Sequence, residues 1–365
     1  MDRRSPPVLP APTGPHPVGR IALDLVDRDR NDPFARRPGT PRKLAVCVFY
    51  PARAGGSTPA PYLPGAWRAT SWLWGLNAAR ATGHAVEGAP PAESGHGFPL
   101  VAFSPSANPP HLYAALLGEL ASHGFVVAGI AHTYEVIPLT AFAASPPRLF
   151  RPVSTGGALA RSGSRPFEVD LRERSRVVGV KAADLEFVLR VVAQSAGERL
   201  PPVDQERTAV AGHSFGGGAA AEVCMRGGAA AGMAIDGGLW RKPGHVGASG
   251  PFLQIFGEHR EYEVSPAEVG AWQAMFERAD GGRSVQVRGA SHPSFCDWPM
   301  LPLRSWSPAR RVLGGVVGDR VHRAVSDTVL GFLGDTLGTG GVAGAGRAPE
   351  HTREAAPEAL FGCAA

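Results

Sequence analysis

Ala209-Val210-Ala211-Gly212-His213-Ser214-Phe215-Gly216-Gly217-Gly218 is the stretch on which the fold turns. An apolar run ending at Ala211 meets a Gly-x-Ser-x-Gly core, and a small-residue helical pattern from Ala219 to Met225 follows at once. Strand, sharp turn and helix in that order describe a nucleophile elbow, which presents a serine hydroxyl at the edge of a parallel sheet. The turn brings backbone against backbone, so a Cβ at Gly212 or Gly216 has no room. It should hold the Ser214 hydroxyl clear of the sheet and set the Phe215 N–H beside it. The following helix starts there, and its positive end favours a developing oxyanion. Gly-x-Ser-x-Gly alone recurs as a plain glycine-rich turn; the strand before it and the helix after it give it weight.

Outward from the elbow, apolar runs of strand length alternate with helical periodicity. Leu44 to Tyr50, Phe98 to Ser104, Phe125 to Ala131, Ala229 to Ile235, Phe252 to Phe256 and Ser284 to Val287 read as strands, with a first one over Pro17 to Val26. Gly257 is expected to end the strand that starts at Phe252. Helical spacing appears at Tyr113, Leu116, Leu117 and Leu120, at Leu185, Val188, Leu189 and Val192, over 266–278, and from Asp319 to Leu337. Continuous apolar strands between helices predict an α/β fold with a mainly parallel central sheet covered on both faces.

The chain is expected to divide into a disordered Pro-rich segment (1–16), one catalytic domain (17–337) and a mobile Gly/Ala/Glu-rich tail (338–365). Within the domain, Pro, Gly, Ser and Arg over 135–168 are too long for a plain connection and read as a lid or insertion loop. Trp67, Trp72 and Trp74 are expected to form a short helical patch over the core.

Composition excludes several classes. With 44% hydrophobic and 19% charged residues among 365, the chain has apolar mass for a large core. Net charge is +5, but the clusters at Arg36-Arg37 to Lys43 and Arg148 to Arg165 lie among prolines and glycines without interleaved aromatics. They read as solvated basic loops rather than a nucleic-acid site. The four cysteines show no disulfide or metal-ligand spacing, and Cys47 and Cys224 read as small buried hydrophobes. No signal-peptide h-region and no 18-residue apolar run is present, so a soluble cytoplasmic protein without a transmembrane segment is expected.

Reactive groups of such a sheet gather beyond the strands' C-terminal ends. Ser214, Asp236 and His292 each follow an apolar strand, in the chain order of α/β-hydrolases. A serine hydroxyl needs an imidazole to take its proton, and the imidazole needs a carboxylate to fix its tautomer. His292 follows the last strand, after Gly289-Ala290-Ser291. His213 should point away from Ser214 and be structural; His123 and His132 read as loop or strand-end residues, with His132 able to border the pocket. Asp236 follows the strand after the elbow helix, whereas Glu258 and Glu261 follow the next strand. Periodicity leaves all three open as the acid.

Several segments resemble the platelet-activating factor acetylhydrolase family (the plasma and type II kind). These are Phe49-Tyr50-Pro51-Ala52, Leu120 to Ala128, Gly212 to Gly217, Ala234-Ile235-Asp236 and Gly289 to His292. The resemblance spans roughly 17–300 in the same order. It implies Asp236 as the acid, and ester hydrolysis through an acyl-enzyme without metal or cofactor. One departure stands out. Where the family reads Phe-Ser-His-Gly-Leu-Gly, this chain has Phe103-Ser104-Pro105-Ser106-Ala107-Asn108. The second oxyanion donor would fall on Ala107, with Ser106 the near alternative, since Pro105 has no N–H. That change puts the substrate apart from a phospholipid acetyl ester.

The expected activity is therefore that of a serine esterase on short-acyl or lipid-like esters, with Leu239, Trp240 and Trp298 as candidate pocket walls. Single tryptophans such as Trp240 and Trp298 are more often packing residues than pocket walls. Thioesterase, amidase or polyester-hydrolase chemistry uses the same triad, and a hydrolase-fold binding protein that has lost catalysis is the rival from another class.

Overall fold

The computed structural model describes residues 8–55, 58–63, 67–68, 81–106, 108–134, 139–140, 148–149, 167–195, 197, 199–239, 250–259, 266–279, 281–301, 313, 318–338 and 352–354. In chain order the strands are β1 (Val18–Asn31), β2 (Pro41–Pro51), β3 (Pro59–Pro61), β4 (Thr82–Glu87), β5 (Phe98–Ser104), β6 (Val126–His132), β7 (Leu139–Thr140), β8 (Arg148–Leu149), β9 (Val203–His213), β10 (Ala231–Ile235), β11 (Phe252–His259), β12 (Arg283–Ser291) and β13 (Thr352–Glu354). The helices are α1 (Ala114–Ser122), α2 (Phe167–Gln194), α3 (Phe215–Met225), α4 (Pro266–Arg278) and α5 (Gly318–Leu337).

Among the described residues, eleven strands share one sheet in the order β13-β12-β11-β10-β9-β5-β6-β2-β1-β4-β3. From β6 through β12 neighbouring strands run parallel; β2 joins β6, and β13 joins β12, antiparallel. Period-2 alternation splits the strands' side chains between two cores. Val101, Phe103 and Val127 pack with Leu116 and Leu120 of α1 and Val325 and Leu333 of α5. Leu100, Ala102, Val126 and Ile130 pack with Leu185 and Val188 of α2, Ala219 of α3 and Trp272 of α4. Helices therefore cover both faces, the α/β-hydrolase arrangement.

Local chemistry sets the ends of these elements. α1 stops at His123 because Gly124, at φ +93°, takes a left-handed conformation that a Cβ would disfavour. α3 can lie close on the sheet because Phe215 is followed by three glycines and three alanines, Gly216 to Ala221.

Several expectations need correction. β1 continues through charged Asp27 to Asn31, past the Val26 at which the first strand was expected to end. β11 runs past Gly257 to His259, with an irregularity in its pairing to β12 between those residues. Residues 8–16, expected to be disordered, are tied down: Leu9 N–H donates to the Thr82 carbonyl, His16 N–H to the Ser122 carbonyl, and Thr13 bonds Glu119. Thr352 to Glu354, placed in the mobile tail, pair with Val285 to Val287. Trp67 is buried at a helical position; Trp72 and Trp74 lie outside the described residues. Of the 135–168 stretch, 139–140 pair with 148–149, and 135–138, 141–147 and 150–166 are outside the described residues. None of the described helices is long and apolar enough to cross a membrane.

Candidate functional site

β9 ends at His213, and α3 begins at Phe215. Between them Ser214 holds φ 57° and ψ −121°, a conformation that costs a non-glycine residue about 1–3 kcal/mol. The turn survives because the surroundings leave no alternative. A Cβ on Gly212 would overlap the Gly216 backbone, and one on Gly216 would overlap the Ser104 carbonyl. Gly217 and Gly237 approach so closely that a Cβ on either would stand 3.0–3.1 Å from the other's Cα. Ser214 is 9% exposed, and its carbonyl accepts the Gly217 and Gly218 N–H groups.

Ile235 ends β10, and Asp236 follows at φ 46°, a second strained residue at the same sheet edge. Its Oδ1 accepts the Gly257 N–H at 3.0 Å, while Oδ2 lies 2.6 Å from His292 Nδ1. The two strands that β11 separates are thereby tied together, 56 residues apart in sequence. Asp236 can only accept when ionised, so Nδ1 carries the proton and Nε2 of a neutral His292 is left as the basic nitrogen. His292 opens a 3₁₀ turn whose Ser291 and Ser294 cap each other, which fixes the backbone that carries the ring. Glu258 is exposed, and its Oε2 accepts the Gly289 N–H at 2.6 Å. The carboxylate that pairs with His292 is that of Asp236; Glu261 lies outside the described residues.

His213 is buried, and its Nδ1 is 2.7 Å from the Tyr113 hydroxyl. Its ring lies 4.5 Å from that of His292, tilted by 36°. Burial, and after it the proximity of His292, hold His213 well below the ordinary histidine range, so it stays neutral beside a ring that can carry charge. The structural expectation for His213 is thus refined, since it packs against the very histidine that Ser214 would use.

The Ser106 N–H points at the Tyr113 hydroxyl, 3.5 Å away. Ala107 and Trp240 are outside the described residues. Leu239 and Trp298 are not brought together: Leu239 packs in the α2–α3–α4 core, and half-buried Trp298 packs against the α1–α5 core. Cys47 and Cys224 are buried, and burial pushes both thiols up to about 12.

The sequence reading missed a buried ionic cluster under the end of β5. Arg42, read as part of a solvated basic loop, is fully buried; its guanidinium is 2.6 Å from Asp184 Oδ2 and 2.9 Å from Asp32 Oδ2. His132 Nδ1 is 2.8 Å from Asp184 Oδ2, and His132 Nε2 is 2.8 Å from the Ser104 hydroxyl. His132 is fully buried and bonded through both ring nitrogens, so among the described residues it packs inside the core instead of bordering a pocket. A signal was available: Lys181 and Asp184 stand four residues before Leu185 and Val188, on the apolar stripe of α2.

No protein-family model matches the chain. A probable 1-alkyl-2-acetylglycerophosphocholine esterase of Arthroderma benhamiae is 28% identical, over 89% of this chain and 83% of that protein. A platelet-activating factor acetylhydrolase of Cavia porcellus is 22% identical, over 68% of this chain and 59% of that protein. Among solved structures, a ferulic acid esterase from Streptomyces cinnamoneus superposes with a TM-score of 0.77 at 27% identity, covering 96% of this chain and 99% of that one. The chain is an ester-hydrolysing enzyme of the α/β-hydrolase fold that resembles the platelet-activating factor acetylhydrolases.

Proposed function

We propose that the chain cleaves carboxylic esters by nucleophilic catalysis at Ser214. The observation that carries this reading is the 2.6 Å bond from His292 Nδ1 to Asp236 Oδ2, at the sheet edge where the elbow presents Ser214. Ser214 Oγ attacks the ester carbonyl carbon and passes its proton to His292 Nε2. The carbonyl π pair moves to oxygen, where the Phe215 and Ala107 N–H groups receive the charge. Collapse restores the carbonyl, and the imidazolium protonates the departing alkoxide. Water, deprotonated by His292, then attacks the acyl-serine carbonyl; collapse of that intermediate releases the acid while the imidazolium returns its proton to Ser214 Oγ. Asp236 keeps the tautomer correct and offsets the imidazolium charge throughout.

Ala107 is favoured over Ser106 as second donor because the Ser106 N–H is already directed at Tyr113. The relatives are named as a probable 1-alkyl-2-acetylglycerophosphocholine esterase and a ferulic acid esterase; the proposed substrate is the shared chemistry, a short-acyl or aryl-acyl ester of an alcohol. We place the chemistry in a single unit over 17–337, acting in the cytoplasm.

A short-chain p-nitrophenyl ester assay on wild type and Ser214→Ala tests the reading, alongside labelling by a fluorophosphonate. Turnover and labelling should both vanish in the variant. Turnover that persists in Ser214→Ala would sink the proposal.

A further inference from the structure

Ser104, His132 and Asp184 repeat, beneath the site, the hydroxyl–imidazole–carboxylate order found at its surface. The Ser104 hydroxyl is 2.8 Å from His132 Nε2, and His132 Nδ1 is 2.8 Å from Asp184 Oδ2. All three are 0% exposed, so none can meet a substrate. Asp184 is in turn gripped by Arg42, through Nε and Nη2, and by Arg30 at 2.9 Å. Burial alone would neutralise this carboxyl, but Arg42 and His132 hold it well below the usual carboxylate range. An ionised Asp184 only accepts, so His132 Nδ1 carries a proton, and Nε2 shares the second hydrogen bond with the Ser104 hydroxyl.

What the cluster grips is the junction of two parts of the proposed machinery. Ser104 is the last residue of β5, and its carbonyl fills the space that a Cβ on Gly216 would need, against the elbow. The next residue is Pro105, whose carbonyl lies 3.4 Å from the buried Lys181 Nζ. Arg42 also donates at 2.9 Å to the Thr133 carbonyl, just past β6. Cation, carboxylate and imidazole from β2, α2 and β6 thus converge on the point where the chain leaves β5 for Ser106 and Ala107. Three or more ionic groups are a costly way to fill a core that apolar side chains would fill at least as stably.

We propose that His132, backed by Asp184 and Arg42, is a positioning residue for the oxyanion loop: through its hydrogen bond with the Ser104 hydroxyl it fixes the end of β5 against Gly216 and so sets where Pro105 and Ser106 leave the sheet. This rests on the reading of Ser214 as nucleophile with its second oxyanion donor in that loop. It also gives the loop, which lacks the family's His-Gly pair, an anchor from below. The oxyanion donor must sit where charge develops in the transition state, so a misplaced donor lowers kcat and leaves ground-state binding alone.

The test uses the full chain, with kcat and KM for a short-chain p-nitrophenyl ester taken per active site titrated by burst amplitude, and a thermal melt of each variant. Ser104→Ala should lower kcat by about tenfold, less than the loss of a whole donor, with KM within about twofold of wild type. His132→Gln places an amide where Nε2 stands and should keep more kcat than His132→Asn, whose amide reaches only the Nδ1 position. Should Ser104→Ala fail to fold, the His132 pair decides the matter. An unchanged kcat per titrated site in the folded variants, or a loss confined to KM, overturns the proposal and leaves the cluster a stabiliser only. Ser214→Ala is measured in parallel: turnover surviving there refutes the nucleophile, a result distinct from unchanged turnover in Ser104→Ala.

Discussion

Replacing Asp236 by asparagine alters one atom and should stop the reaction almost entirely. Asp236 Oδ1 accepts from Gly257 N–H at 3.0 Å and Oδ2 from His292 Nδ1 at 2.6 Å, so both oxygens are committed as acceptors. An asparagine that keeps its oxygen on Gly257 must present its NH₂ to His292. The ring then shifts its proton to Nε2 and cannot take the one from Ser214. Turned the other way, the amide sets N–H against the Gly257 N–H at a buried position. In either case the carboxylate charge that faces the developing imidazolium is lost. With charge centres about 4 Å apart and an effective dielectric near 20, that attraction is about 4 kcal/mol, roughly 10³ in rate. Adding the tautomer penalty brings the expected loss in kcat to about 10³–10⁴, with KM little changed. Glu258→Gln should stay within about threefold of wild type, because its carboxylate only receives the Gly289 N–H at an exposed position. Steady-state turnover of a p-nitrophenyl ester measures both. Asp236→Asn retaining more than about a tenth of kcat, or Glu258→Gln collapsing instead, would refute this assignment of the acid.

Two further outcomes concern stability. A Cβ at Gly216 overlaps the Ser104 carbonyl, so Gly216→Ala should abolish folding or cost several kcal/mol, whereas Gly331 in α5 faces open space and Gly331→Ala should stabilise by about 0.5–1 kcal/mol; thermal melts compare them, and a soluble, wild-type-like Gly216→Ala would contradict the packing account. Burial raises the Asp297 carboxyl to about 7, against the Tyr62 hydroxyl at 2.9 Å. The folded state therefore binds a proton that the unfolded state has released between about pH 4 and 7, so this group lowers stability as pH rises through that window, by order 1 kcal/mol per unit. Asp297→Asn should match wild type near pH 4 and exceed it at pH 8 in denaturant midpoints; a difference independent of pH would be the contrary result.

The elbow and the residues proposed to work with it could be read from the sequence because each of Ser214, Asp236 and His292 follows an apolar strand, and chain order ranks strand ends at one sheet edge. Periodicity places Asp236 and Glu258 alike past a strand, and only the family resemblance singled out Asp236; in the structure Asp236 pairs with His292, while β11 continuing to His259 carries Glu258 onto Gly289. The cluster beneath β5 was hidden for another reason. Its contacts join Arg42 to Asp184 and Ser104 to His132, across 142 and 28 residues, and its members are types that normally mean solvent. Pairing that cancels charge inside a core leaves no periodic trace except a lysine and an aspartate on an otherwise apolar helix stripe. The packing of residues 8–16 was hidden likewise: proline-rich composition suggests disorder, but Thr13 and Gly14 find side-chain acceptors on α1 that sequence cannot place.

The short β13 has a consequence for how copies of this protein meet. Without it, β12 would close the sheet with a bare row of N–H and C=O groups, open to any extended segment, including the same strand of another copy. Thr352 to Glu354 occupy that row at Val285, Gln286 and Val287, and Arg353 holds the Gln286 side chain at 2.9 Å. A newcomer must therefore add to a strand three residues long that shows an exposed arginine and glutamate. Polymerisation through that flank is disfavoured by the chain itself, and the strand that leads into His292 is spared from serving as a template.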